Sequence, residues 1–313
     1  MRMLITGSDG LVGSAVGAAC LRAGHEVVPF DVVRPGAGRT EDIRNRTLLA
    51  ERMAGCDGVI HLAAISRVLW GEQRPELCLS TNIEGTQSVA EAALAQRQQP
   101  WLIFASSREV YGNPASRLVV ETDPIAPVNT YGRSKAEGER IMDQARADGL
   151  ATAIVRLSNV YGGPRDHPDR AVPALMSSAM AGEDLVLTGG GTYFDFVHVE
   201  DCVAGLQATA GLLAAREQKL PPVQFTSGIA TSLRQLAQLA IAISGSTSHI
   251  VEAPARPFDV AGFCGDPARA RQLLGWEARI DLPSGLARLM DDLRRTGPLD
   301  PVDMPDPATL GRD

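Results

Sequence analysis

The sequence has no excess of positive charge, no paired cysteines, no long apolar run and no internal repeat. Lys and Arg number 30 against 37 Asp and Glu, a formal charge of −7, which argues against a general binder of the phosphate backbone; nucleic acid is not an expected partner. The five cysteines, Cys20, Cys56, Cys78, Cys202 and Cys264, are odd in number and form no C-x-x-C pair. Neither a zinc site nor a disulfide framework follows, no metal is expected, and they read as reduced packing residues. The opening MRMLITGSDG enters a strand at once, and no stretch is apolar enough for a signal peptide or a membrane span. No membrane partner and a cytoplasmic location are the default expectations.

What is present describes a folded α/β chain. A length of 313 residues suits one doubly wound domain with a smaller companion, and 44% hydrophobic with 21% charged residues is ordinary for a globular protein. Short β-rich runs at Met3 to Thr6, Glu26 to Asp31, Gly58 to Leu62, Leu102 to Ala105 and Ala151 to Leu157 alternate with helical patterns, notably Leu11 to Ala23, Pro75 to Gln96 and Thr130 to Ala147. That alternation predicts a parallel sheet covered on both faces. After Asn159 the texture changes, with breaks at Gly162-Gly163-Pro164, Gly189-Gly190-Gly191 and Pro221-Pro222. A less regular mixed α/β domain is expected there, with helices at Leu233 to Ile243 and Leu286 to Leu293. The domain reading is residues 1–163, with about 193–222 returning to it, then 164–295. Residues 296–313, with four prolines and four aspartates in the last 17 residues, read as a flexible tail.

Gly7-Ser8-Asp9-Gly10-Leu11-Val12-Gly13 lies between the first strand and the first helix. Gly7 permits a tight turn, Gly10 lets backbone approach a pyrophosphate, and Gly13 lets helix pack on strand, while Leu11 and Val12 open the helix whose N-terminus faces the phosphates. Taken alone the run is also compatible with a plain strand-to-helix turn. Asp31, ending the second strand, sits where a carboxylate accepts hydrogen bonds from the adenosine ribose, and this favours NAD over NADP because a carboxylate repels a 2′-phosphate. Arg34 and Arg39 are near enough in sequence to weigh against that preference. Asp42 and Ile43 suit the adenine, and Leu62, Ala63 and Ala64 are small enough at the end of the third strand to let a cofactor lie close. His61, inside an apolar run, reads as a packed residue.

A second constellation joins Ser106-Ser107 at the end of the fourth strand to Tyr131 and Lys135, spaced i, i+4 on one helix face. A phenol with a pKa of about 10 is a poor base at neutral pH. A neighbouring ammonium and a cationic nicotinamide both favour the phenolate, so Tyr131 can take a proton from a substrate hydroxyl that Ser107 also holds. An ordinary exposed Tyr-Lys pair is the competing explanation of the spacing by itself.

Together with Gly7-x-x-Gly10-x-x-Gly13, Asp31, His61-Leu62-Ala63-Ala64 and Tyr131-x-x-x-Lys135, the runs Ser106-Ser107-Arg108-Glu109-Val110-Tyr111-Gly112 and Arg156-Leu157-Ser158-Asn159-Val160-Tyr161-Gly162 resemble the extended short-chain dehydrogenase/reductase family, in particular its nucleotide-sugar epimerases and dehydratases. Phe194 to Asp201 and Asp266 to Trp276 extend the likeness to about residue 295. The resemblance implies a Rossmann-type fold with a smaller C-terminal substrate domain, bound NAD, Tyr131 as base, Lys135 as its electrostatic partner and Ser107 as hydroxyl donor. It also implies Ser106 and Asn82 beside the cofactor, Arg67, Asn159 and Arg256 toward a nucleotide-diphosphate sugar, and a homodimer through the helices at Pro75 to Gln96 and Thr130 to Ala147. Arginine suits a diphosphate because its planar fork makes bidentate contacts.

Departures from the family pattern guide the choice of reaction. Dehydratases place Thr-Asp-Glu where this chain has Ser107-Arg108-Glu109, so the aspartate that protonates a leaving hydroxyl is missing. Decarboxylases share the glutamate at Glu109, which keeps a uronic acid substrate open with Arg108 as partner for its carboxylate. Phe194 stands where the family places an arginine. The expectation is an NAD-dependent 4-epimerase of a nucleotide-diphosphate sugar with Tyr131, Lys135, Ser107 and Glu109 as the catalytic set. The alternatives are a dehydratase, decarboxylase or 4-ketoreductase and, in a different class, a non-catalytic dinucleotide sensor, which generally lacks the Tyr and Lys present here.

Overall fold

Strands buried on both faces must send alternate side chains into two different cores, and the N-terminal half does so. The computed structural model describes residues 1–32, 41–116, 118–215, 220–256, 258–297 and 299. Its elements run β1 (Arg2–Thr6), α1 (Leu11–Arg22), β2 (Glu26–Phe30), α2 (Arg46–Met53), β3 (Gly58–His61), α3 (Val68–Gln73), α4 (Pro75–Leu79), α5 (Gly85–Ala95), β4 (Trp101–Ser107), α6 (Thr130–Ala147) and β5 (Thr152–Leu157). There follow β6 (Asn159–Tyr161), α7 (Ala171–Ala181), β7 (Leu185–Thr188), β8 (Tyr193–His198), α8 (Val199–Ala214), β9 (Val223–Phe225), β10 (Ala230–Ser232), α9 (Leu233–Ser244), β11 (Ile250–Ala253), α10 (Ala268–Leu274) and α11 (Leu282–Thr296).

Six strands form one parallel sheet in the order β2-β1-β3-β4-β5-β9. Met3, Ile5, Ile60, Ile103 and Val155 pack on one side with Val16, Cys20, Cys202 and Leu206. Their neighbours Leu4, Val59, Leu102 and Ile154 pack on the other with Leu49, Val89, Ile141 and Met142. The chain turns from one side of β1 to the other between β2 and β3, and in such sheets ligands bind at the carboxyl ends of the strands where the order reverses. Register aligns those ends: Thr6 is opposite both Phe30 and His61, and His61 is opposite Phe104. The glycine turn, Asp31, Leu62 and the Ser106-Ser107 pair therefore emerge along one edge.

The C-terminal part holds two small sheets, β10-β8-β6 and β11-β7, over a separate core of Met176, Leu187, Leu236, Ala240, Leu286 and Leu289. Helices α7 and α8 are additions to the expectation. The expected single helix from Pro75 to Gln96 is instead α4, a π-helical turn at Ser80–Glu84 and α5. A π turn carries one extra residue in the helical ladder, and here it contains Asn82, whose side chain bonds elsewhere. Residues 33–40, including Arg34 and Arg39, and most of the expected tail lie outside the described residues.

Candidate active site

A cleft of about 1460 Å³ runs from the carboxyl edge of the large sheet to the C-terminal strands. Every site residue singled out from the sequence lines it except Asn82. Asn82 lies behind the wall: Oδ1 accepts from the Ile65 amide at 2.8 Å, and Nδ2 donates to the Ile65 carbonyl at 3.1 Å and to the Ser134 hydroxyl at 2.9 Å. Its donors and acceptor are used in tying the segment after β3 to α6, so its place is behind the cofactor wall and not in it.

At the cofactor end the glycines have distinct reasons. Gly7 has φ +70°, and a Cβ there would stand 2.7 Å from the Ala63 nitrogen. A Cβ at Gly13 would stand 1.9 Å from the Gly7 carbonyl oxygen, whereas Gly10 meets nothing closer than 3.5 Å and leaves backbone open to a ligand. Asp31 is buried at the end of β2, and its carboxylate accepts from the Asp9 amide at 2.9 Å, which fixes the turn relative to the strand. Asp42 holds Arg44 with both oxygens, at 3.1 and 2.6 Å, and Ile43 packs against Gly85. The open backbone at Gly10, the helix N-terminus beyond it and the carboxylate at Asp31 suit a dinucleotide: donors for a pyrophosphate and an acceptor for ribose hydroxyls.

At the other end, α6 carries Tyr131, Lys135 and Glu139 one turn apart on the face toward β4. Its N-terminus is capped by Asn129, whose Oδ1 accepts from the Gly132 amide at 2.8 Å. Lys135 Nζ donates to the Ala105 carbonyl at 2.8 Å and lies 5.9 Å from the Tyr131 ring centroid. The Ser107 hydroxyl accepts from the Glu109 amide at 3.2 Å and lies beside the Tyr131 phenol. Burial pushes the Tyr131 phenol above its ordinary value, with the Glu109 charge adding to the rise and Ser107 opposing it. Burial likewise brings Lys135 down to about 8, so near neutral pH the ammonium is charged but easily deprotonated. Ser106 donates to Glu139 Oε1 at 2.6 Å, and Glu139 is held by Arg156 at 2.8 and 2.7 Å. Through these bonds the end of β4 is locked to α6, and with it the distance between Ser107 and Tyr131.

Arg108 is buried: Nε donates to Asn159 Oδ1 at 2.5 Å, Nη2 pairs with Glu109 at 2.8 Å, and the guanidinium lies 4.5 Å from the centroid of the Phe194 ring. Nη1 is shielded from solvent without an acceptor. Glu109 receives Asn129 Nδ2 on its second oxygen at 2.7 Å. Arg67 pairs with Asp169, and Arg256 with Asp259 at 2.7 Å. His61 is packed between Thr6 at 2.7 Å and Thr86 at 3.0 Å, and burial holds it neutral with a pKa lowered to about 3.

Sequence reasoning missed Asn129 and the segment Pro164 to Arg170, which lines the cleft. That segment touches the glycine turn through Arg165 and Asp9 at 3.4 Å and the loop after β3 through Asp169 and Arg67. Its only signal was a dense run of charge directly after Gly162-Gly163-Pro164.

Several known proteins are similar to this chain. A UDP-glucose 4-epimerase of Streptomyces lividans is 30% identical over 311 residues, covering 90% of this chain and 93% of the relative. A dTDP-glucose 4,6-dehydratase of Streptomyces antibioticus is 29% identical, covering 93% of this chain and 92% of the relative. The crystal structure of UDP-glucuronic acid 4-epimerase from Bacillus cereus, in complex with UDP-glucuronic acid and NAD, superposes with a TM-score of 0.85 at 26% identity, over 94% of this chain and 99% of that one. The model of the NAD dependent epimerase/dehydratase family matches residues 3–218, a span that holds the glycine turn, the Tyr131-Lys135 pair and the Arg108-Glu109 pair alike. On that match and these relatives, the chain belongs to the NAD dependent epimerase/dehydratase family.

Proposed function

We propose that this protein is an NAD-dependent 4-epimerase of a nucleotide-diphosphate sugar. The observation that carries the reading is Ser107 beside the Tyr131 phenol, with Lys135 held behind them on the Ala105 carbonyl, at the end of a cleft whose other end suits a dinucleotide. Gly7, Gly10, Gly13 and Asp31 hold the cofactor, with Asp42 and Ile43 toward the adenine. Bound there, NAD supplies a hydride acceptor and donor at the sugar carbon. Tyr131 takes the proton of the 4-hydroxyl and returns it, Ser107 orients that hydroxyl, and the Lys135 ammonium stabilises the phenolate. The sugar becomes a 4-ketone held in the cleft, turns over, and is restored with the opposite configuration. Arg256, Arg67 and Asn159 face the diphosphate side. Dehydration is disfavoured because an arginine, Arg108, stands where a proton donor to a leaving hydroxyl is required.

The test is to incubate the protein with UDP-, GDP- and dTDP-hexoses and UDP-uronic acids and to read products by NMR and mass. A product of unchanged mass inverted at C4 supports the reading; loss of water or of carbon dioxide replaces it with dehydration or decarboxylation. Tyr131→Phe is expected to lower turnover by a factor on the order of 1000 while NAD still binds, and near-parental turnover in that variant rejects Tyr131 as the base.

A further inference from the structure

We infer that Arg108 is a positioning residue that fixes the outcome of the reaction by keeping Glu109 from acting as a base toward the sugar. The inference rests on the proposed 4-keto sugar. A ketone at C4 acidifies the C–H bonds on its two neighbours, C3 and C5. A carboxylate within reach would take such a proton: its oxygen forms a new O–H bond, the C–H electron pair becomes a C=C bond to C4, and the carbonyl π pair moves to oxygen as an enolate. Reprotonation from solvent-exchanged carboxylic acid then scrambles the centre or opens the way to elimination.

Glu109 is placed to do this. It lines the cleft two residues beyond Ser107, and its charge acts on Tyr131. Yet both its oxygens are engaged, one by the Arg108 guanidinium at 2.8 Å and the other by Asn129 Nδ2 at 2.7 Å. With a donor on each oxygen, the carboxylate has no free lone-pair direction to turn toward a sugar C–H unless one of these bonds breaks. The lock is itself held: Asn129 is fixed as the cap of α6, and Arg108 by Asn159 at 2.5 Å and by the face of Phe194. Two of these supports, Asn159 and Phe194, come from β6 and β8, so the C-terminal sheet restrains a group at the end of β4.

The experiment runs the reaction in D2O and measures deuterium at C3 and C5 of recovered substrate and product by NMR, together with inversion at C4. The parent protein is expected to invert C4 and to leave C3 and C5 unlabelled. Arg108→Met is expected to raise the label by about ten-fold or more over background, since a freed general base contributes at least that much. The double variant Arg108→Met with Glu109→Gln is expected to return to background. Label in the parent's sugar, an unlabelled sugar from Arg108→Met whether or not it inverts C4, or label that persists in the double variant each overturns the inference. Absence of C4 inversion in the parent counts against the proposed reaction instead, because the lock is read from the isotope alone.

Discussion

The large sheet and the two small C-terminal sheets solve different problems with different sequence patterns. All seven residues of β4 are buried, and its parallel neighbours are covered by helices on both faces. The strands β7 and β11 leave Val186 and Val251 at 59% and 43% exposure, opposite each other in register. The first region buries the Arg156-Glu139 ion pair between rigid elements, whereas the Arg234-Glu252 pair beside the β11-β7 sheet is about half exposed. The end of β4 and the first turns of α6 therefore carry the groups proposed to react, while the C-terminal sheets supply a wall and a few restraining contacts.

Four substitutions probe that contrast, from the largest effect downward. Gly13→Val should abolish cofactor binding and most of the folded yield, because the new Cβ falls inside the Gly7 carbonyl; purified folded variant that binds NAD like the parent would refute the packing argument. Arg156→Met strands Glu139 in the interior and should cost about 3–5 kcal/mol, read by denaturant unfolding, with turnover falling as Ser106 loses its anchor. A cost below about 1 kcal/mol would mean that water reaches the pair.

Lys135→Met should abolish turnover yet raise stability at pH 7, by a net on the order of 1–3 kcal/mol, since a buried ammonium no longer has to be desolvated. The sign follows from linkage. With a folded value of about 8 and an ordinary one of about 10.4, the unfolded chain binds more protons between them, so parental stability climbs with pH across that window. The variant should lack that climb, and identical pH-stability curves for the two proteins would count against a buried ammonium. Arg234→Met, at the exposed pair on α9 and β11, should change stability by less than about 1 kcal/mol. A cost approaching that of Arg156→Met would erase the distinction between the regions.

Legibility in the sequence follows the same division. The parallel strands stood out as short apolar runs because both faces are buried, and their ends were placed within a residue or two. Strands such as β9 and β10, three residues each, leave no period to detect, and α7 and most of α8 lay in segments to which no element was assigned. The π turn was hidden because its sequence is compatible with a continuous helix until Asn82 finds partners across space.

What the sequence determined by itself is the local chemistry: glycines where a turn needs φ above zero or a helix must touch a strand, Tyr131 and Lys135 on one face by helical spacing, and a carboxylate at the end of β2. Tertiary structure alone decided which polar groups are spoken for. That Arg108 is held by Asn159 and Phe194, that Asn82 ties Ile65 to Ser134, and that the cap residue Asn129 also holds Glu109 all depend on residues far apart in the chain. Periodicity fixes the face on which a side chain leaves its own element, but a hydrogen bond is settled only by the distance to whatever the rest of the fold brings opposite it.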